Sequence, residues 1–398
     1  MNIINQNKIV IFGAGKIGRS FIGQLFSRGD YEVVFIDVFK QIIEELNKRR
    51  NYNVIIRSDK EETINITNVR GVFAGNIQEV TNEVATSRLV AVCVGSQGLN
   101  GIFPLLANGL SQRYASDKSA ALDIIIAENM HNADEFFRKE LKKLLPADYP
   151  FEQLVGLVET SIGKMVPIMQ KKDMEEDMLQ VFAEPFNTLI LDKKAFKNKI
   201  PSIEGLSPKE NIKAWVDRKL YIHNLGHATA AYVGYVYKPT YIYLYEVLAV
   251  PHVFNIVKDT MHQSADILIA KYPEEFSKES LNDHINDLLM RFKNKALGDT
   301  IYRIGCDLKR KLGPEDRFAG IIKLALAYNL PFDKILYGLI CGCHFRAKDE
   351  NNQMLKSDID FINRYYSDVD MVLSEISGFD HIRAKKVYAE AREIPLYK

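Results

Sequence analysis

A doubly wound α/β sheet domain followed by a largely α-helical domain is the fold class this sequence predicts, on three observations. Short β-branched runs alternate with helical patterns through the first half, as in "KIVIFGAG", "IGRSFIGQLFSRG" and "EVVFIDV". Strands covered on both faces read as continuous apolar runs, and parallel neighbours need helical crossovers. A glycine-rich turn joins the first strand to the first helix, which makes the sheet Rossmann-type. From Ile212 onward the apolar spacing is helical, with almost no strand pattern.

In chain order, the first strand "KIVIFGAG" feeds a helical stretch, and "EVVFIDV" follows as the second strand. Further strands are expected at "RLVAVCVGS" and "ALDIIIAEN", then at "LVGLVET", "LQVFAE" and "TLILDK". These runs carry the first domain to about residue 195. The polar, Pro- and Gly-bearing stretch "KNKIPSIEGLSPKEN" then reads as the connection. The expected division is residues 1–195 for the nucleotide-binding domain and 196–398 for the helical, catalytic one. A chain of 398 residues exceeds one comfortable core, and its 47% hydrophobic content can fill two.

Charge and cysteine content narrow the function classes. The 52 Lys and Arg nearly cancel 51 Asp and Glu, a balance unlike that of a general nucleic-acid binder. No apolar run approaches the roughly 20 residues a membrane span needs. The start, "MNIINQNKIVIFGAG", lacks the charged region, apolar stretch and small-residue site of a secretion signal. Cys93, Cys306, Cys341 and Cys343 are sparse and unevenly spaced, as reduced thiols are. A cytoplasmic protein acting on a small molecule, away from membranes and nucleic acids, is the expectation.

The turn "FGAGKIGRSFIG" sets Gly13, Gly15 and Gly18 in G-x-G-x-x-G spacing. Such glycines permit a tight turn, close approach of a pyrophosphate and close helix packing, while the helix amino terminus favours negative charge. Asp37 closes the next strand, where a carboxylate binds ribose hydroxyls and repels an added phosphate. The cofactor expected is therefore NAD, although Lys40 nearby is a charge that would favour NADP. "AVCVGSQG" falls where such sheets open toward the cofactor.

The stretch "KLYIHNLGHATAAYVGY", residues 219–235, sets polar groups among alanines and aromatics. On an α-helix Asn224 lies about 140° and His227 about 80° from Lys219, so the three fit on one face. Gly226 and Gly234 are costly inside a helix and suggest close approach by another backbone, a substrate or the cofactor. Oxidation of a secondary alcohol needs a base for the hydroxyl proton, a task for a lysine whose pKa is lowered by desolvation or neighbouring positive charge. Amides can stabilise the alkoxide-like oxygen. The same spacing also fits a lysine reaching solvent above satisfied core histidines.

Together these stretches resemble the polyol-specific long-chain dehydrogenase family, from "FGAGKIGRSFIG" and "FIDV" through "AENM" and the polar helix to "YRIGCDLKRKLGPEDR" and "HFR". The resemblance implies a metal-independent mechanism with Lys219 as general base, Asn224 and Asn129 stabilising the oxyanion, and His227 orienting the substrate. It places Arg303 and Lys311 against the substrate, with Arg310 joining them around a phosphate, for which guanidinium and ammonium groups are suited. The reaction implied is NAD-dependent interconversion of mannitol 1-phosphate and fructose 6-phosphate by a monomer. One departure bears on substrate. Where the family commonly has Asp-Arg before "VP", this chain has Gly163 and Lys164, which keeps only the positive charge. Oxidation of free mannitol at C2 and reduction of a hexuronate, tagaturonate or fructuronate, therefore remain alternatives, as does a non-catalytic NAD-binding sensor.

Two other signals point weakly to metal. His223 and His227 are four apart but no H-E-x-x-H is present, and "CGCHF" lacks a second ligand pair, so no metal is expected.

Overall fold

The computed structural model describes residues 3–396 except Asp59, His131, Gln170 and Ser367. The chain divides into two compact units, Met1–Trp215 and Val216–Lys398.

The first unit contains strands β1 (Asn5–Phe12), β2 (Glu32–Asp37), β3 (Tyr52–Ile56), β4 (Glu62–Ile66), β5 (Val69–Phe73) and β6 (Ser87–Val92). After them come β7 (Leu122–Ile126), β8 (Val155–Ile162), β9 (Val181–Ala183), β10 (Leu189–Asp192) and β11 (Leu206–Lys209). The main sheet runs β11-β10-β8-β7-β6-β1-β2-β5. Its six strands from β5 to β8 are parallel, and among the described residues the β10–β8 pairing is the antiparallel one of this sheet. Reversal of strand order about β1 is the doubly wound pattern, which opens a crevice at the carboxyl ends of β1 and β6. Successive residues of β1 explain the continuous apolar run: Val10 and Phe12 pack on one face of the sheet, Ile9 and Ile11 on the other.

Two details differ from the sequence reading. "LQVFAE" forms β9, but in a separate three-stranded sheet, β4-β3-β9. The stretch read as a connection contains β11, which pairs in parallel with β10 and ends the main sheet. Pro208 sits comfortably there, since an edge strand leaves one row of N–H groups unpaired. The first unit therefore reaches Trp215, twenty residues beyond the expected 195.

The second unit is helical. Among the described residues no strand follows β11, and Tyr243 and Thr300 form one isolated bridge. Its longest helix, Pro251–Lys271, begins with proline at its first turn, where the missing N–H costs nothing. Among the described residues no helix is long and apolar enough to cross a membrane.

Candidate active site

The glycine turn is shaped by contacts that leave no room for side chains at two of its three glycines. Gly13 has φ +99°, and a Cβ there would stand 2.5 Å from the carbonyl oxygen of Cys93. A Cβ on Gly18 would stand 1.9 Å from the oxygen of Gly13. At Gly15 a Cβ would meet nothing within 4 Å, so packing inside the unit does not explain that glycine. Asp37 already helps hold the turn: its Oδ2 accepts the Ala14 N–H at 2.7 Å and its Oδ1 that of Phe39 at 3.0 Å.

Arg19, one residue past Gly18, went unread in the sequence because an arginine at a helix start looks solvated. It is buried, its Nε donating to the Ala14 carbonyl at 2.7 Å and its Nη1 to that of Met178 at 3.1 Å. This guanidinium ties the glycine turn to the segment before β9. Beside it a cavity of about 250 Å³ is lined by Lys16, Phe39, Ile42, Met169, Met174 and Met178. Lys40 is directed elsewhere, its Nζ 4.7 Å over the Phe73 ring.

At the ends of β6 and β7, Glu128 joins two loops. Its Oε1 accepts the N–H of Gly95, whose φ is +75°, at 2.9 Å. Burial raises the pKa of this carboxyl. The "VGSQG" loop is thereby fastened to the turn carrying Asn129, which is exposed. Lys164 does not present its charge to a ligand: its ammonium donates to the carbonyls of Glu184 and Phe186 and to Asn187 Oδ1, at 3.2, 2.8 and 3.0 Å. Three acceptors occupy all three ammonium donors.

In the second unit the polar stretch is wound differently from the α-helix assumed above. Lys219–Asn224 is a π-helix, followed by the α-helix Leu225–Tyr237. With i→i+5 hydrogen bonding, a residue five along lies closer to one turn away than in an α-helix, so Asn224 comes nearer the Lys219 face. Packing between helices accounts for Gly226 and Gly234. Cβ atoms there would stand 2.5 Å from Met261 Sδ and from the methyls of Val247, so both glycines seat side chains of neighbouring helices.

Lys219 is half-buried, and burial, aided by the positive charge of Arg317, lowers its pKa to about 8. His227 stacks on Phe292, with ring centroids 4.5 Å apart and planes 4° from parallel. Burial first, then Arg303, Lys311, Arg317 and Arg291, hold its pKa down to about 3, so the imidazole is neutral at physiological pH. His223 is buried and neutral for similar reasons, burial being the largest.

Asp299, which the sequence reading missed, sits between two expected site residues. Its Oδ2 lies 3.3 Å from Nε2 of the neutral His227, not aligned as a hydrogen bond, and its other oxygen pairs with Arg303. The i,i+4 spacing of Asp299 and Arg303 was the available signal. Lys311 is buried, donates to the Ile304 carbonyl, and has its pKa lowered to about 8 by burial and Arg317. Arg310 is half exposed and pairs with Asp307 and Asp316. The second unit thus gathers Lys219, Asn224, His227, Arg303 and Lys311 around one cationic region, while Arg310 stands at its edge. Gly13, Gly15, Gly18, Asp37 and Asn129 belong to the first unit. All four cysteines are free, and among the described residues no three His, Cys, Asp or Glu side chains converge as a metal site would require.

Residues 7–205 match the mannitol dehydrogenase Rossmann domain, and residues 211–392 match the mannitol dehydrogenase C-terminal domain. The chain belongs to the mannitol dehydrogenase family. It is an oxidoreductase and a polyol dehydrogenase. It is 33% identical over 350 residues to a mannitol-1-phosphate 5-dehydrogenase of Lactococcus lactis subsp. cremoris (strain MG1363), covering 87% of this chain and 88% of that one. A mannitol-1-phosphate 5-dehydrogenase of Shouchella clausii (strain KSM-K16) is 33% identical over 358 residues, covering 89% and 92%. Among solved structures, a substrate-free D-sorbitol dehydrogenase superposes with TM-score 0.81 at 16% identity, over 98% of this chain and 92% of that one. Pseudomonas fluorescens mannitol 2-dehydrogenase, in ternary complex with NAD and D-mannitol, gives 0.73 at 16% identity, over 98% and 91%. At that identity these two speak for the fold.

Proposed function

We propose that this polyol dehydrogenase interconverts mannitol 1-phosphate and fructose 6-phosphate with NAD, using Lys219 as general base and no metal. The observation that carries the reading is a lysine whose proton affinity is lowered to about pH 8 beside a neutral histidine and an array of positive charges. A base must be neutral to accept the alcohol proton, and a pKa near the working pH serves that need. The surrounding cations suit a dianionic phosphate.

The residues of the glycine turn fit NAD. Packing excludes side chains at Gly13 and Gly18, while the open space over Gly15 admits a pyrophosphate. Asp37 keeps lone pairs beyond its two backbone contacts for ribose hydroxyls. NAD held there would supply the acceptor for the hydride from C5 of the polyol, counted from the phosphate-bearing carbon. Lys219 Nζ removes the proton of the C5 hydroxyl as the carbonyl forms. Asn224 and Asn129 supply amide donors to that oxygen, and His227, neutral and held by its stack on Phe292, orients it. Arg303 and Lys311 hold the remainder of the substrate, with Arg310 available to its phosphate.

Gly163 favours a second reading within the family, because the chain lacks a carboxylate there for polyol hydroxyls and Lys164 is committed to internal acceptors. Following NADH consumption with fructose 6-phosphate, fructose and tagaturonate decides between them. Strong preference for an unphosphorylated substrate overturns the phosphate assignment.

A further inference from the structure

We propose that Arg317, fixed by Asp316 against the carbonyl of Asn224, is the positioning residue that holds the Lys219–Asn224 π-helix and supplies the positive charge that keeps Lys219 ready to accept a proton. Arg317 Nε donates to Asp316 Oδ1 at 2.8 Å, and the Arg317 backbone N–H donates to the same oxygen at 2.7 Å. Its Nη1 donates to the Asn224 carbonyl oxygen at 3.1 Å. The residue is 7% exposed, and its guanidinium is held between two part-buried acceptors. Asp316 also meets Arg310 at 3.3 Å, and Arg310 meets Asp307. A chain of alternating charges thus runs from the basic turn to the carbonyl that closes the π-helix.

The assignment deepens the proposed function and rests on its reading of Lys219 as base. Arg317 is a charge common to Lys219, His227 and Lys311: after burial it acts on the first and third, and it is among the cations acting on the second. Among the other groups near the π-helix, Arg218 precedes it and stays a cation, its pKa lowered to about 10 by burial. The helix Pro251–Lys271 offers Ser264, whose hydroxyl donates to the Tyr221 carbonyl, and Met261; its Lys271 and the Tyr272 that follows it are bound to Asp217. The helix Lys278–Phe292 offers His284 and Arg291, which act on His223, and Arg291 is paired with Asp287. Within the π-helix, His223 is neutral.

The test is the pH dependence of kcat/KM for polyol oxidation by NAD, measured from pH 6 to 10 on the best substrate of the panel. Wild type is compared with Arg317→Gln, Arg317→Lys and Lys219→Ala. Glutamine keeps a donor for the Asn224 carbonyl but no charge, and Arg317→Met replaces it should that variant misfold. The acid limb in the uncharged variant is expected to move up by about one pH unit, a tenfold loss at low pH that fades at high pH. Lysine is expected to restore the limb. An equal loss at every pH, with the limb unmoved, overturns the assignment and leaves Arg317 a structural role. A Lys219→Ala enzyme that retains both activity and limb overturns the base reading itself, and this proposal with it.

Discussion

Lys219→Met is expected to abolish turnover and yet make the folded protein more stable. The reason is the state of the wild-type ammonium. Burial and Arg317 lower the Lys219 pKa from 10.5 to about 8, so below pH 8 the fold holds a cation it binds less well than the unfolded chain does. At about 1.4 kcal/mol for each tenfold change in proton affinity, the cost is at most about 3 kcal/mol. Water reaches the half-buried side chain, which screens it and trims the figure to about 2 kcal/mol. Methionine removes the charge while keeping an unbranched chain of similar volume. The gain is full below pH 8 and shrinks between pH 8 and 10.5, because there the unfolded wild type binds the extra proton and wild-type stability rises with pH. Urea unfolding at pH 7 and pH 10.5 reads it directly. A gain of about 2 kcal/mol is a midpoint shift of about 1 M urea at pH 7. A variant no more stable than wild type at pH 7, or equally stabilised at pH 10.5, refutes the claim that Lys219 is a desolvated cation.

Three further outcomes follow from the same geometry. Asp299→Ala removes the carboxylate between His227 and Arg303, and kcat/KM is expected to fall tenfold or more, at about the same Tm, as two site groups lose their orientation; unchanged kinetics refute the positioning role of Asp299. Gly18→Ala puts a Cβ 1.9 Å from the Gly13 oxygen, so NADH binding followed by fluorescence is expected to disappear, whereas Gly15→Ala leaves the apo protein's stability unchanged and weakens the cofactor. Lys164→Met leaves three acceptors without their donor, and urea unfolding is expected to show a loss of about 3 kcal/mol with kcat per folded molecule preserved; a changed kcat with unchanged stability places Lys164 in the substrate site instead.

Much of the fold was legible because its signals are local. The apolar runs of β1, β2, β6 and β7 name a sheet covered on both faces, and the glycine turn names its nucleotide end. The limit of the first unit was not legible, since Leu206–Lys209 carries two polar residues and a proline and becomes a strand only by pairing with β10. The glycines show the same division. Gly13 and Gly18 were read for a tight turn and close packing, which the fold shows, whereas Gly226 and Gly234, read for close approach by a backbone, a substrate or the cofactor, seat the side chains of Met261 and Val247 on neighbouring helices.

By itself, the sequence set a lysine, an asparagine and a histidine along one helix, behind a dinucleotide-type turn, and its resemblance to the polyol-specific dehydrogenases implied their roles. Composition and spacing report which groups are present and which face they share. Only the tertiary structure decided their states. It wound Lys219–Asn224 as a π-helix, set Arg317 against it, enclosed His227 between Phe292 and Asp299, and consumed the charge of Lys164 internally. Proton affinity and orientation depend on burial and on neighbours many residues distant, and those quantities exist only once the chain has folded.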